Sequence, residues 1–224
     1  MRSVQRAAVL LLSAGLTLGV ATAPGAVATA PVPRDGAPYE RLQHPQPVRD
    51  PAVREVVEVF WYGCYHSQLL EQPLEAWAAR QPSDVVLRRL PAVWPGESDQ
   101  TVERGHARLY FTLERLGEVD RLQLAVFHAV RDEGRDLTTE DGAAGWAALQ
   151  GVDPQRFRTA YESDEVGRET AQAPADLARY ETAELPTVVV QGTYRTGPTL
   201  AGGVEAMPAV LDDLLKQVQP AAKH

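Results

Sequence analysis

Val56-Val57-Glu58-Val59-Phe60-Trp61-Tyr62-Gly63-Cys64-Tyr65-His66-Ser67, followed by Gln68-Leu69-Leu70, is the stretch from which the rest of the chain can be read. A β-branched and aromatic run gives way to Gly63 and then to the only cysteine of the sequence, after which Leu70, Leu74, Trp77 and Ala78 recur at helical spacing. The pattern predicts a strand, a turn and a helix, with Cys64 at the mouth of the helix. A thiol placed there faces unpaired backbone N–H groups and the positive end of the helix macrodipole, both of which favour the thiolate.

Three residues on, where a C-x-x-C redox motif has its second thiol, the chain has Ser67. In a dithiol site the first sulfur attacks a substrate disulfide, and the second attacks the resulting mixed disulfide and releases the product. With no other cysteine in the sequence, no intramolecular disulfide can form and the chain alone cannot carry two electrons.

Taken together, this stretch resembles the active site of the DsbA family of thioredoxin-fold oxidoreductases, with Cys64-Tyr65-His66-Ser67 in place of Cys-Pro-His-Cys. Cys64 falls on the nucleophile, His66 on the histidine two residues later, and Glu58, 64 − 58 = 6 residues upstream, on the buried acid beneath the site. Leu74-Glu75-Ala76-Trp77 and the strand from Val85 to Trp94 resemble the same family, and Glu184-Leu185-Pro186-Thr187 before Val188-Val189-Val190 matches its cis-proline loop. The resemblance implies an α/β (α+β) thioredoxin-like fold with an inserted all-helical subdomain. It also implies that Leu185 and Pro186, with Tyr65, bind an extended substrate peptide. The chain departs from the family pattern at Tyr65 and at Ser67.

Composition agrees with a folded, exported protein. At 224 residues, with 44% hydrophobic and 23% charged residues, the chain can bury a core. Its net charge of −8 argues against nucleic acid or an anionic membrane as partner, since binding phosphate needs a basic face. Arg2 and Arg6, the apolar run from Ala7 to Val20 and the small-x-small Ala26-Val27-Ala28 read as a cleaved signal peptide, with an uncleaved anchor as the alternative. Export places Cys64 in an oxidising compartment, the periplasm, where disulfide traffic is the relevant chemistry.

The expected organisation is a signal peptide over residues 1–28, an extended lead-in over 29–38, a first thioredoxin-like part over 39–96, an inserted helical subdomain over 97–176, a second thioredoxin-like part over 177–219 and a tail over 220–224. Val53 to Tyr62 reads as the central strand, and Tyr39 to Leu42 as an added edge strand. The helix after Cys64 is expected to kink at Pro73 and end near Gln81-Pro82, before a strand from Val85 to Val93. Five helical patterns follow: Thr101 to Leu116 with Gly117 as stop, the stripe Leu122, Val126, Ala129 and Val130, Thr139 to Leu149, Asp153-Pro154 onward, and Ser163 to Tyr180 bent at Pro174. Thr187 to Gln191 and Thr193 to Arg195 form a hairpin, and Val204 to Gln217 a closing amphipathic helix with Asp212-Asp213 outward. Trp61, Trp77, Trp94 and Trp146 fit core positions.

Several site residues admit two readings. Glu58 is either an outward residue of an edge strand or a buried acid of raised pKa that relays a proton near Cys64; the family match favours the second. His66 is either a solvated first-turn residue or a stabiliser of the thiolate. Ser67 is either inert or a hydrogen-bond donor to the sulfur. Two functions are open to such a site. The first is an exported thiol–disulfide exchange protein in which Cys64 forms a mixed disulfide with unfolded or disulfide-bearing exported proteins. Release then comes from a thiol of the client, or from glutathione or another external thiol. The second is a redox-inactive peptide-binding or holdase-like relative. A third comparison, with monothiol glutaredoxins that hold an iron–sulfur cluster, is opposed by the export signal and the inserted helices. No metal ligand set, cofactor motif or stable membrane association is expected.

Overall fold

The computed structural model describes residues 36–218. The stretches expected to be signal peptide and tail, with most of the expected lead-in, lie outside the described residues. A five-stranded sheet has the order β1-β5-β4-β2-β3, where β1 is Glu40–Arg41, β2 Arg54–Phe60, β3 Val85–Pro91, β4 Thr187–Val190 and β5 Tyr194–Thr196. Between β2 and β3 runs helix α1, Tyr65–Ala78, and the two strands pair in parallel with Arg54 opposite Val85 and Glu58 opposite Arg89. β4 pairs antiparallel with both β2 and β5, and β1 antiparallel with β5. The expected thioredoxin-like fold with a helical insertion is the fold observed.

Between β3 and β4 lie five helices with no strand among them: α2 Thr101–Leu116, α3 Val119–Phe127, α4 Glu140–Leu149, α5 Pro154–Tyr161 and α6 Asp164–Arg179. Their boundaries obey local chemistry. Gly117 ends α2 with φ of 72°, a left-handed conformation that glycine adopts without a Cβ penalty. Thr139, Asp153 and Ser163 each accept a backbone N–H from the first turn of the helix they precede. The chain closes with α7 Pro198–Ala201, a 3-10 turn Val204–Ala206 and α8 Met207–Gln217.

Apolar side chains form three connected cores. Val56, Leu70, Leu74 and Trp77 meet Met207, Leu211 and Leu214 between α1, α8 and one face of the sheet. Val57, Val59, Leu90 and Val189 meet Leu177 and Tyr180, from the end of α6, on the other face. The third core fills the insertion and takes in Phe60 and Tyr62 from the end of β2, where Phe60, Tyr62, Tyr110 and Phe127 pack edge to face. Covering helices on both faces explain the near-continuous apolar character of β2.

The structure corrects several expectations. The middle strand is β4, not β2, because β4 alone has two strands on each side. Helix α1, with Pro73 inside it, stops at Ala78 rather than near Gln81-Pro82, and there Arg80 N–H donates to Trp77 O and Gln81 N–H to Ala78 O, tightening the final turn. The second stripe of the insertion divides at Phe127 into α3 and a π-helical turn, His128–Asp132. Asp212 is half-buried rather than outward, because its carboxylate accepts the Trp77 indole N–H at 2.8 Å and the Gln81 amide at 3.2 Å. Trp77 and Trp146 are buried, whereas Trp61 and Trp94 are only partly so.

Helix α2 packs so closely on the segment before α4 that a Cβ on Gly105 would lie 2.5 Å from the Thr138 carbonyl oxygen. Gly105→Ala is therefore expected to cost about 1–3 kcal/mol by overpacking, despite alanine's better helix propensity, and urea unfolding checks the sign.

Candidate functional site

The site begins where β2 runs out. Trp61, Tyr62 and Gly63 carry the chain to Cys64, the N-cap of α1, whose amide donates to Trp61 O at 2.8 Å and whose carbonyl accepts Gln68 N–H at 3.1 Å. A Cβ on Gly63 would sit 2.4 Å from the Trp61 ring, so the indole occupies the space that any larger residue would need. The Trp61 indole N–H donates to His106 Nδ1 at 3.0 Å, and the Tyr62 hydroxyl to Gln123 Oε1 at 2.6 Å. His106 is buried in α2, and desolvation pulls its pKa down to about 4, so it receives the indole as neutral imidazole.

Cys64 is a free, partly exposed thiol. Its Sγ lies 3.5 Å from the carbonyl oxygen of Leu185, to which the thiol donates. The Leu185–Pro186 bond is cis, as the resemblance implies. Strand pairing explains the encounter: Val59 lies opposite Thr187, so Pro186 and Leu185 are carried past the end of β2 toward Cys64. Leu185 is half-buried and Pro186 buried.

The remaining first-turn residues separate. Tyr65 is 54% exposed and stands against His66, with ring centroids 5.8 Å apart. His66 is exposed. Ser67 is fully buried, with Oγ 3.4 Å from the Trp61 amide as acceptor, so its oxygen faces the end of β2.

Glu58 is buried, as the second reading expects, and projects to the α1 side of the sheet with its neighbours in register, Val56 and Phe60. Its Oε2 lies 3.2 Å from Arg89 Nε without the alignment of a hydrogen bond. Arg89 also donates to Glu71 of α1, and Glu75 lies 3.5 Å away. Burial raises the Glu58 carboxyl from 4.5 to about 7 even though the adjacent Arg89 guanidinium pulls it down; burial raises Glu71 as well, reinforced by the charge of Glu58. One guanidinium thus serves two buried carboxyls, an arrangement that retains a proton. Glu71 is seven residues into α1 from Cys64, about 10 Å along the axis at 1.5 Å per residue.

Sequence reasoning missed Arg89, Glu71, His106, Gln68 and Arg131. A signal existed for two of them: Arg88-Arg89 interrupts an apolar strand, and Glu71 sits beside Leu70 and Leu74 on the buried stripe. For Arg131, which donates to the Gly63 carbonyl at 2.6 Å across 68 positions, spacing carries none. Among the described residues, no group of three or more His, Cys, Asp or Glu side chains is disposed to hold a metal ion.

The raised Glu58 carboxyl sets a pH dependence. Its folded pKa exceeds the unfolded value, so the native state holds the extra proton, and the stability this contributes is complete below about 4.5 and lost as pH rises through about 7. Glu58→Gln removes the titration, and its unfolding free energy relative to the parent is expected to rise across that window. Denaturant titrations at several pH values that run parallel would show instead that Glu58 ionises freely in the fold.

No protein-family model matches the chain. Curated relatives do. The chain is 37% identical over 211 residues to the thiol:disulfide interchange protein DsbA of Burkholderia cepacia, covering 94% of this chain and 95% of the relative. It is 34% identical over 214 residues to that of Pseudomonas syringae pv. tomato, covering 96% and 97%. Among solved structures, Pseudomonas aeruginosa DsbA superposes with a TM-score of 0.74 at 34% identity, over 81% of this chain and 92% of that one. The oxidoreductase DsbA of Xylella fastidiosa gives 0.72 at 29%, over 83% and 97%. Matched at 37% and 34% identity over nearly the whole length of these relatives, and sharing the fold of solved family members, the chain belongs to the DsbA family of thiol:disulfide interchange proteins.

Proposed function

We propose that this protein is an exported thiol–disulfide exchange protein that works through the single nucleophile Cys64, a Cys-x-x-Ser variant of its family. The observation that carries the reading is the half-exposed Cys64 sulfur at the start of α1, 3.5 Å from the Leu185 carbonyl at the open edge of the cis-proline loop. An extended client segment pairing along Leu185 would lay its disulfide beside Sγ.

In the first step the Cys64 thiolate attacks one sulfur of a client disulfide, forming a mixed disulfide and expelling the other sulfur as thiolate. If a client thiolate then attacks the mixed disulfide, Cys64 is regenerated and the client disulfide is re-formed elsewhere, with no net electron transfer. If an external thiolate attacks the Cys64 sulfur of the mixed disulfide instead, the client leaves with both of its sulfurs as thiols and Cys64 is left in a disulfide with the external thiol; a second equivalent of that thiol then regenerates Cys64 and leaves as the external disulfide, completing the two-electron reduction of the client. Ser67 takes no covalent part, and its placement against Trp61 N–H supports a structural role for its hydroxyl. His66 and Tyr65 border the sulfur at the surface, Leu185 and Pro186 form the client edge, and Glu58 is a proton reservoir beneath α1. The basic start and apolar run of the N-terminus support export to the periplasm, and no described helix is long and apolar enough to cross a membrane.

A holdase reading draws on Tyr65 and Leu69, exposed one turn apart on α1, where they offer apolar contact independent of sulfur chemistry. Refolding of a scrambled disulfide protein in a thiol buffer separates the two. Exchange requires that Cys64→Ala lose the acceleration, whereas equal activity of the variant and parent assigns the effect to binding. Ser67→Cys is expected to form an intramolecular disulfide on mild oxidation, read as the loss of two alkylatable thiols, since the replaced hydroxyl lies within one helical turn of Cys64.

A further inference from the structure

The π-helical turn after α3 has a consequence for Cys64. Glu133 N–H bonds to His128 O at 3.0 Å, closing a wider turn than the i→i−4 bonds of an α-helix. Arg131 lies within this turn and reaches the mouth of α1. Its Nη1 donates to the Gly63 carbonyl at 2.6 Å and its Nε to Gln68 Oε1 at 3.0 Å, while its guanidinium carbon lies 5.3 Å from the Tyr65 ring centroid. Gln68 is held in turn by Asp132, whose carboxylate also accepts from His128. One side chain therefore grips the residues on both sides of Cys64, and the Trp61 ring packs against Gly63.

We propose that Arg131 is the positioning residue of the thiol site: it fixes the Gly63–Cys64 peptide against the first turn of α1, keeping Sγ on the Leu185 edge with a permanent positive charge one peptide group away. This inference rests on the exchange reading of Cys64. Two properties make arginine suited to the task. Its planar fork serves a carbonyl and an amide oxygen at once while stacking on an aromatic ring. Its charge favours both the attacking thiolate and the negative charge shared among three sulfurs during displacement, by the same attraction that charge-assisted hydrogen bonds use.

The test is the second-order rate of Cys64 alkylation by neutral iodoacetamide and anionic iodoacetate in the parent, Arg131→Met and Arg131→Lys, with thermal midpoints measured alongside. Arg131→Met is expected to slow iodoacetamide about fivefold and iodoacetate more, from loss of a charged hydrogen bond and of the local cation. Arg131→Lys is expected to restore the ratio of the two rates but only part of the absolute rate, because an ammonium cannot reproduce the fork. A lower midpoint with both rates unchanged would make Arg131 merely structural and overturn the proposal, as would a slowed reaction with an unchanged ratio. If Arg131→Met does not fold, Gln68→Leu removes one arm of the clamp, and an unchanged iodoacetamide rate there overturns it equally. A parent thiol no more reactive than free cysteine would count against the exchange reading itself. A reactive parent with an unaffected Arg131→Met counts against the clamp alone.

Discussion

A single guanidinium in the interior ties the strand–helix–strand unit together. Arg89 stands opposite Glu58 in the parallel register of β2 and β3, and receives Glu71 from the helix that crosses between them. Apolar packing alone tolerates small slides of one element on another, but a buried ion cluster does not, since removing one partner leaves a stranded charge at a cost of about 3–5 kcal/mol. With more carboxyl than cation, the cluster keeps a proton that solvent would have taken. The elements that place Cys64 are thus locked by electrostatics as much as by the Leu70, Leu74 and Trp77 stripe.

Given that lock, register builds the site. Pairing of Val59 with Thr187 carries the Leu185–Pro186 bond past the end of β2, and the same end of β2 leads through Gly63 into α1. Sulfur and carbonyl meet because the end of β2 and the start of β4 lie side by side. The edge of backbone so exposed is a general device for extended peptides, and the sulfur lies at its end.

The inserted helices do more than enlarge the core. Residues 61 to 63 rest on them in succession: the Trp61 indole on His106 of α2, the Tyr62 hydroxyl on Gln123 of α3, and the Gly63 carbonyl on Arg131 of the π turn. Each is a polar bond at the edge of an apolar cluster that includes Phe60, Tyr110 and Phe127. The junction between sheet and thiol is therefore built by both halves of the molecule, and a shift in the insertion would be felt at Cys64.

Local chemistry is legible in the sequence wherever neighbours in the chain decide the outcome. The strand–glycine–cysteine–helix run, the caps at Thr139, Asp153 and Ser163, the Gly117 stop and the missing second thiol at Ser67 all rest on short-range sterics and hydrogen bonds. Even there the end of α1 escapes a local reading, because Gln81 is drawn to Asp212, 131 residues away. The middle place of β4, the inward turn of Asp212, the sharing of Arg89 by Glu58 and Glu71, the burial of the Ser67 hydroxyl and the reach of Arg131 to Gly63 were decided only in three dimensions. The physical reason is that a buried polar group must find its partner wherever the fold supplies one. Composition and periodicity say that a charge is buried, but not which distant residue answers it.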